Sequence, residues 1–239
     1  MDKNSFFKIR SYAADNSVNI EIYGDIVGDS FSKWQEEDVC PIDVRNVLAE
    51  AGGRDLNIHI NSCGGSVVAG YAIGNTLKNY SGKKRCFIDG AAASMAAYIA
   101  VCCDEIYMPA NSYLMVHKPI ADIKGNANVL NQRIKIMDGM QAGMVSTFLA
   151  KAKDGVTEEQ INGFMNANNG DGTWFTGVEA AQYFDITVTD SIKVVAYIGE
   201  SFRDCRNLPE KLVSKISKDL ENKKVQCRCS LELLKMKGV

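Results

Sequence analysis

The chain has 239 residues, 46% of them hydrophobic and 23% charged, with 27 Lys and Arg against 29 Asp and Glu for a formal net charge of -2. That length suits one α/β domain with a sizeable core, alone or with an appendage. The near-neutral balance excludes the global basic field of a nucleic-acid binder, and no run approaches the ~20 apolar residues of a membrane span.

Residues 1–17 are polar and mixed and read as a frayed N-terminal segment. From Val18 to Val27 apolar and polar residues alternate, which predicts a strand. Residues 28–40 are polar, with Trp34 among acids, and Asp43 to Ala51 reads as a helix that Gly52-Gly53 ends. A strand over Leu56 to Asn61 runs through Ser62-Cys63-Gly64-Gly65-Ser66 into a helix from about Val67 to Tyr80. Strand 84–88, helix 94–102 and strand Glu105 to Met108 follow. This βα alternation predicts an α/β fold with a largely parallel sheet. Tyr113 to His117 is a further strand, stopped by Lys118-Pro119. Leu130, Ile134, Met137, Met144 and Phe148 then recur at helical spacing in a long helix from about Asn128 to Lys151. Core packing and packing against another copy are both open for it. Thr157 is a capping candidate for the next helix. Gly170 to Thr176 is a glycine-rich turn into an apolar pair, and Gly177 to Tyr183 is a short helix. Beyond about Ile198 the chain turns Lys- and Glu-rich, with a helical pattern around Leu212 to Leu220. The domain is therefore read as 18–197 and the C-terminal appendage as 198–239.

Eight cysteines are present: Cys40, Cys63, Cys86, Cys102, Cys103, Cys205, Cys227 and Cys229. Met1 to Lys8 lacks the apolar core of a signal peptide, so free thiols in a cytoplasmic, reducing compartment are expected. Cys227-x-Cys229 has no second ligand pair at zinc-site spacing, and neither a metal nor a cofactor is expected.

The chemistry points to Asp89-Gly90-Ala91-Ala92-Ala93-Ser94-Met95-Ala96-Ala97. A serine at a strand-to-helix crossing, among small residues, is open to a bulky substrate and lies near a helix N-terminus that favours negative charge. Those are the needs of a serine nucleophile and its oxyanion. The plainer alternative is that Ser94 caps the helix. Only two histidines could serve as base. His59 sits mid-strand and reads as structural, whereas His117 ends a strand, where reactive groups enter clefts. Oxyanion donors would be the N–H of Gly65, or of Ser66, and the N–H of Met95, at the tips of adjacent βα turns.

These residues carry a resemblance. Ile60-Asn61-Ser62-Cys63-Gly64-Gly65-Ser66-Val67, Gly90 to Ala97, and Pro109 to Pro119 resemble, in order and spacing, successive blocks of the ClpP serine peptidase family. The resemblance spans roughly residues 18 to 190. Ile20 to Ile26 and Thr173-Trp174-Phe175-Thr176 with Glu179-Ala180 are most similar to its phage branch, the head maturation proteases. It implies a ClpP/crotonase-like fold of repeated ββα units, with the long helix as a projecting handle and a C-terminal helical appendage. It also implies Ser94 as nucleophile, His117 as base, and Gly65 and Met95 as oxyanion donors. Cys63 stands where the family has proline, which costs that turn rigidity. The family's third triad member aligns with Gly172, and the acid here is Asp171, one residue earlier. Asp171 is taken as that member, with Asp185 and Asp190 as downstream alternatives.

The implied activity is a serine endopeptidase that needs no ATP of its own, since the chain shows no P-loop. Implied partners are protein or peptide substrates and a homo-oligomeric ring, with stacking of rings through the handle. Its setting would be phage head maturation on scaffold or capsid protein, in the host cytoplasm or inside the procapsid. The first rival use is a housekeeping subunit working with an AAA+ unfoldase. Two further rivals are a crotonase-like acyl-CoA enzyme and a catalytically silent ring scaffold. No nucleic-acid or membrane partner is expected.

Overall fold

In the computed structural model, which describes residues 11–12, 17–190, 205 and 208–209, the alternating stretch from Val18 starts a mixed sheet. Most of the expected frayed start, the Leu212 to Leu220 helix, Cys227-x-Cys229 and almost all of the appendage lie outside the described residues; within that start, Ser11–Tyr12 are not frayed but pair with the sheet. By its contacts the chain divides into two compact units, Met1–Cys205 and Arg206–Val239.

Among the described residues the sheet has eight strands. Strand β1 (Ser11–Tyr12) pairs antiparallel with β2 (Val18–Ile22). Parallel pairing then runs through β3 (Leu56–Ser62), β4 (Lys84–Ala93), β5 (Glu105–Pro109) and β8 (Thr187–Thr189). Off this path, β6 (Tyr113–Val116) pairs parallel with the far end of β4 and antiparallel with β7 (Thr173–Thr176). The largely parallel α/β architecture expected from the alternation is what forms.

Period-two patterning gives the sheet two unlike faces. Ile20, Ile22, Ile58, Ile60, Cys86, Ile88, Ile106 and Met108 are each no more than 2% exposed. They share one core with α1 (Pro41–Ala51), α2 (Val67–Lys78) and α3 (Met95–Val101). Across the other face, His59, Phe87 and Tyr107 stack at 5.0 and 5.1 Å between ring centroids. Helix α1 begins two residues before the expected Asp43 because Pro41 takes the first turn, where no N–H is missed. Asp43 instead closes the turn by accepting from the Cys40 N–H.

Strand β4 is longer than the 84–88 expected. Its extension runs through small residues with little intrinsic β preference, and Ala91 to Ala93 become strand by pairing with β6. At that point the β3–β4 register shifts between Ile60 and Ser62, and the side-chain oxygen of Asn61 accepts from the Ala91 N–H at 3.1 Å. Such a bulge bends a strand and re-aims its end. Strand β4 therefore leaves β5 for β6 just before Ser94.

The long helix α4 (Ala127–Leu149) buries only Met144, Val145, Thr147 and Phe148. Val129, Leu130, Ile134 and Ile136 stay 37–53% exposed. Of the two packings left open for it, the N-terminal half does not pack into its own protomer's core. Helices α5 (Glu158–Asn166) and α6 (Gly177–Tyr183) both start with capping boxes, Thr157 with Gln160 and Thr176 with Glu179. Among the described residues no helix is long and apolar enough to cross a membrane.

Phe148 is fully buried against Phe184, whereas Ile134 is 53% exposed. Phe148→Ala is therefore expected to cost about 3–5 kcal/mol in denaturant unfolding, and Ile134→Ala less than about 0.5 kcal/mol of protomer stability. Equal losses would place the handle in the protomer's core.

Candidate active site

The site forms where four segments meet at the end of the sheet. Ser94 follows β4 with φ +56° and ψ −122°, a backbone state that side-chain-bearing residues rarely occupy. Two backbone bonds hold it there: the Ser94 N–H donates to the Met115 carbonyl at 2.9 Å, and the Tyr98 N–H donates to the Ser94 carbonyl at 3.1 Å. The alternative reading of Ser94 as a helix cap does not hold. The residue precedes α3, but its side chain makes no capping bond. Its Oγ lies 2.7 Å from Nε2 of His117 instead. His117 stands one residue past β6, and its Nδ1 is buried.

Gly64 and Gly65 form the neighbouring turn, with φ of +94° and +143°. A Cβ on Gly64 would fall 2.7 Å from Ser94 Cβ and 2.8 Å from Met95 N. Only glycine allows the turn to lie so close to the serine. Gly65 bridges Ile26, which donates its N–H to the Gly64 carbonyl and accepts from the Ser66 N–H, both at 2.7 Å. That pairing removes Ser66 from the two donors considered for this turn. It also directs the Gly65 N–H to the opposite side of the strand. The Met95 N–H, in the first turn of α3, has no acceptor within the helix. Gly65 is exposed and Met95 is buried beneath Ser94.

Strand β7 brings the acidic turn alongside. Val116 pairs with Thr173, so the turn before β7 meets the residues after β6. The Lys118 N–H donates to the Gly170 carbonyl at 3.3 Å. A Cβ on Gly172 would collide with the Val116 carbonyl oxygen and with His117 Cβ. Asp171 thus sits in a turn pressed against His117, between two glycines in left-handed conformations. Asp185 is 79% exposed at its side chain and lies 3.9 Å from the Lys151 amine. Asp190 follows β8, whose Thr189 carbonyl accepts from Ala110.

His59 is in mid-strand, on the half-exposed face. Its Nδ1 lies 2.9 Å from Asp89 Oδ2, which also accepts from the Tyr23 hydroxyl at 2.7 Å. The bond to Asp89 raises the His59 pKa above 6.5 and outweighs the opposing effect of burial. Burial, with Asp89 next, raises the Tyr23 pKa as well.

Three supporting residues were not singled out from the sequence. Asn61 pins the β4 bulge. Ser62 donates to the Gly24 carbonyl at 2.6 Å and accepts from the Gly64 N–H at 3.1 Å. Met115 supplies the carbonyl that holds Ser94. Polar residues ending an apolar strand were the available signal for the first two; a backbone carbonyl leaves none. The structure also corrects the expectation of eight free thiols. Cys63 and Cys205 form a disulfide across 142 residues of sequence, while Cys40, Cys86, Cys102 and Cys103 are free and buried. Only the fold brings the first two together.

A cavity of about 310 Å3 lies between the stretch 119–124 and α4. Val67, Pro119, Ile123, Val129, Ile136 and Met137 give it apolar walls, with Asp122, Lys124 and Arg133 among its lining. A serine hydroxyl held on an imidazole is equipped for nucleophilic acyl transfer.

This fold and sequence place the chain in the Clp protease family, whose profile matches residues 39–184, more than half of the chain. The family is one of peptidases. Among curated relatives, the ATP-dependent Clp protease proteolytic subunit 2 of Tropheryma whipplei is 30% identical over 131 residues, covering 54% of this chain and 69% of the relative. The protein of the same description from Rhodococcus jostii is 32% identical over 137 residues, 56% of this chain and 67% of its own. That from Bacillus licheniformis is 40% identical over 81 residues, 33% of this chain but only 43% of its own length.

For His59, the raised folded pKa means that its contribution to stability is fully present below the unfolded value and is lost as pH rises through the folded one. His59→Gln is therefore expected to lower Tm most below about pH 6.5 and progressively less above it. A Tm difference that grows with pH would show that His59 is not held by Asp89.

Proposed function

We propose that the chain is a serine endopeptidase of the ClpP type. The observation that carries this reading is the 2.7 Å approach of His117 Nε2 to Ser94 Oγ, with no capping bond to compete for that hydroxyl. His117 accepts the Ser94 proton as Oγ attacks a peptide carbonyl carbon, and the oxyanion takes hydrogen bonds from the N–H groups of Gly65 and Met95. His117 then protonates the leaving amine. In the second half it activates the water that hydrolyses the acyl-enzyme, and Ser94 regains its proton. Asp171 orients the imidazole and stabilises its charged form.

Exposed apolar residues on the outer half of α4 support assembly of several copies, with the handle as the contact between stacked rings. The more specific use is cleavage of scaffold or capsid protein during phage head maturation. It rests on the resemblance of residues 20–26 and 173–180 to that branch. A second use, as the proteolytic partner of an ATP-driven unfoldase, is favoured by the relatives, which are proteolytic subunits of ATP-dependent Clp proteases. Unassisted cleavage of an assembled capsid precursor at one defined site would favour the first. Turnover of folded substrates only with an unfoldase would favour the second.

A fluorophosphonate probe and a peptide substrate test the chemistry. Ser94→Ala should abolish labelling and hydrolysis. His117→Ala and Asp171→Asn should each lower kcat by about 10⁴-fold or more, and Asp185→Asn should leave it unchanged. Acyl-CoA binding without any labelling of Ser94 would turn the assignment toward the crotonase-like reading, and no activity of either kind toward the silent scaffold. Leu130→Glu with Ile134→Glu should reduce the sedimentation coefficient to that of a smaller assembly while labelling of Ser94 persists.

A further inference from the structure

We propose that the Cys63–Cys205 disulfide is a thiol-responsive lock on the oxyanion turn, closed in the reactive form and opened by a dithiol reductant. The inference rests on the assignment of Gly65 as an oxyanion donor. Cys63 lies between Ser62 and Gly64, in the middle of that turn. The bond therefore constrains the residue whose neighbours position the donor. The turn needs such a constraint, because Gly64 and Gly65 have the widest backbone freedom of any residue type. Its other anchors are the Ser62 hydroxyl, shared between Gly24 and Gly64, and the pairing of Ile26 with Gly64 and Ser66. With the disulfide in place, the turn packs on Ser94 and Met95, and the Ser94–His117 contact is made. The closed lock is thus compatible with a competent site.

Access also singles out this pair. Cys63 and Cys205 are partly exposed, whereas Cys40, Cys86, Cys102 and Cys103 are buried. Their Cα atoms are 5.7 Å apart, inside the range a disulfide requires. Cys205 lies beyond the residues matched to the family, so the tether adds to the matched peptidase fold. Opening proceeds by thiolate exchange. One thiolate of the dithiol attacks a sulfur of the bond and releases the other cysteine, which takes up a proton. The second thiol of the reductant then displaces the mixed disulfide. The protein gains two thiols, and the dithiol leaves as its own disulfide.

The test uses the full chain with and without dithiothreitol, read three ways. Non-reducing peptide mapping should find the Cys63 and Cys205 peptides joined. On reduction, amide exchange across residues 64–66 should rise about tenfold or more, and the rate of fluorophosphonate labelling at Ser94 should fall about tenfold. Cys205→Ser, which leaves residue 63 unchanged, should match the reduced protein and ignore the reductant. Separate free thiols at Cys63 and Cys205 in protein purified without reductant would overturn the lock. So would a bond whose reduction changes neither exchange nor labelling. If exchange responds but no form is labelled, the serine assignment falls and the lock on the turn stands.

Discussion

The hydrogen bond from the Ser94 N–H to the Met115 carbonyl is the contact on which the candidate site depends. It ties the residue after β4 to β6, two residues before His117. Hydroxyl and imidazole are therefore positioned by one backbone bond between adjacent strands. The bond exists because β4 changes neighbours: its first half pairs with β5 and its last three residues with β6. Asn61 stabilises the bulge at which that change occurs. The unusual φ of Ser94 follows from the same geometry, since the chain must leave β4 and enter buried α3 within one residue.

A second constraint is the absence of Cβ atoms where turns meet Ser94 and His117. Gly64 lies against Ser94 and Met95, and Gly172 lies against Val116 and His117. Any larger residue at either place would push a turn off the site, whatever its effect on the backbone. The two glycines act on opposite sides of the Ser94–His117 contact. One admits the Gly64–Gly65 turn, and the other admits the turn that carries Asp171.

Much of this was legible in advance because its causes are local. The run at Val18, expected to reach Val27, forms a strand over Val18–Ile22, the runs at Leu56 and Lys84 form strands as well, and Thr157 begins a helix as the expected capping residue. The run Gly90 to Ala93 misled, since small residues favour neither state strongly and its strand character comes from β6. Strand β7 was hidden for a different reason: its Thr173-Trp174-Phe175-Thr176 favours strand, but at four residues it is too short a run to stand out beside the glycine-rich turn. Ser66 stood beside Gly65 as a possible donor until the pairing with Ile26 used its N–H.

By itself, the sequence determined the alternation of strands and helices, the small residues around Ser94, and the placement of His117 at a strand end and His59 in mid-strand. These follow from patterning, side-chain size and position along an element, which are properties of short stretches. Tertiary structure alone decided that Ser94 caps nothing and meets His117, that the 170–172 turn rests on that histidine, and that Cys63 is bonded to Cys205. Each joins segments between 23 and 142 residues apart. Contacts at that range are set by strand register and bulges, which depend on pairing across the whole sheet rather than on any local sequence signal.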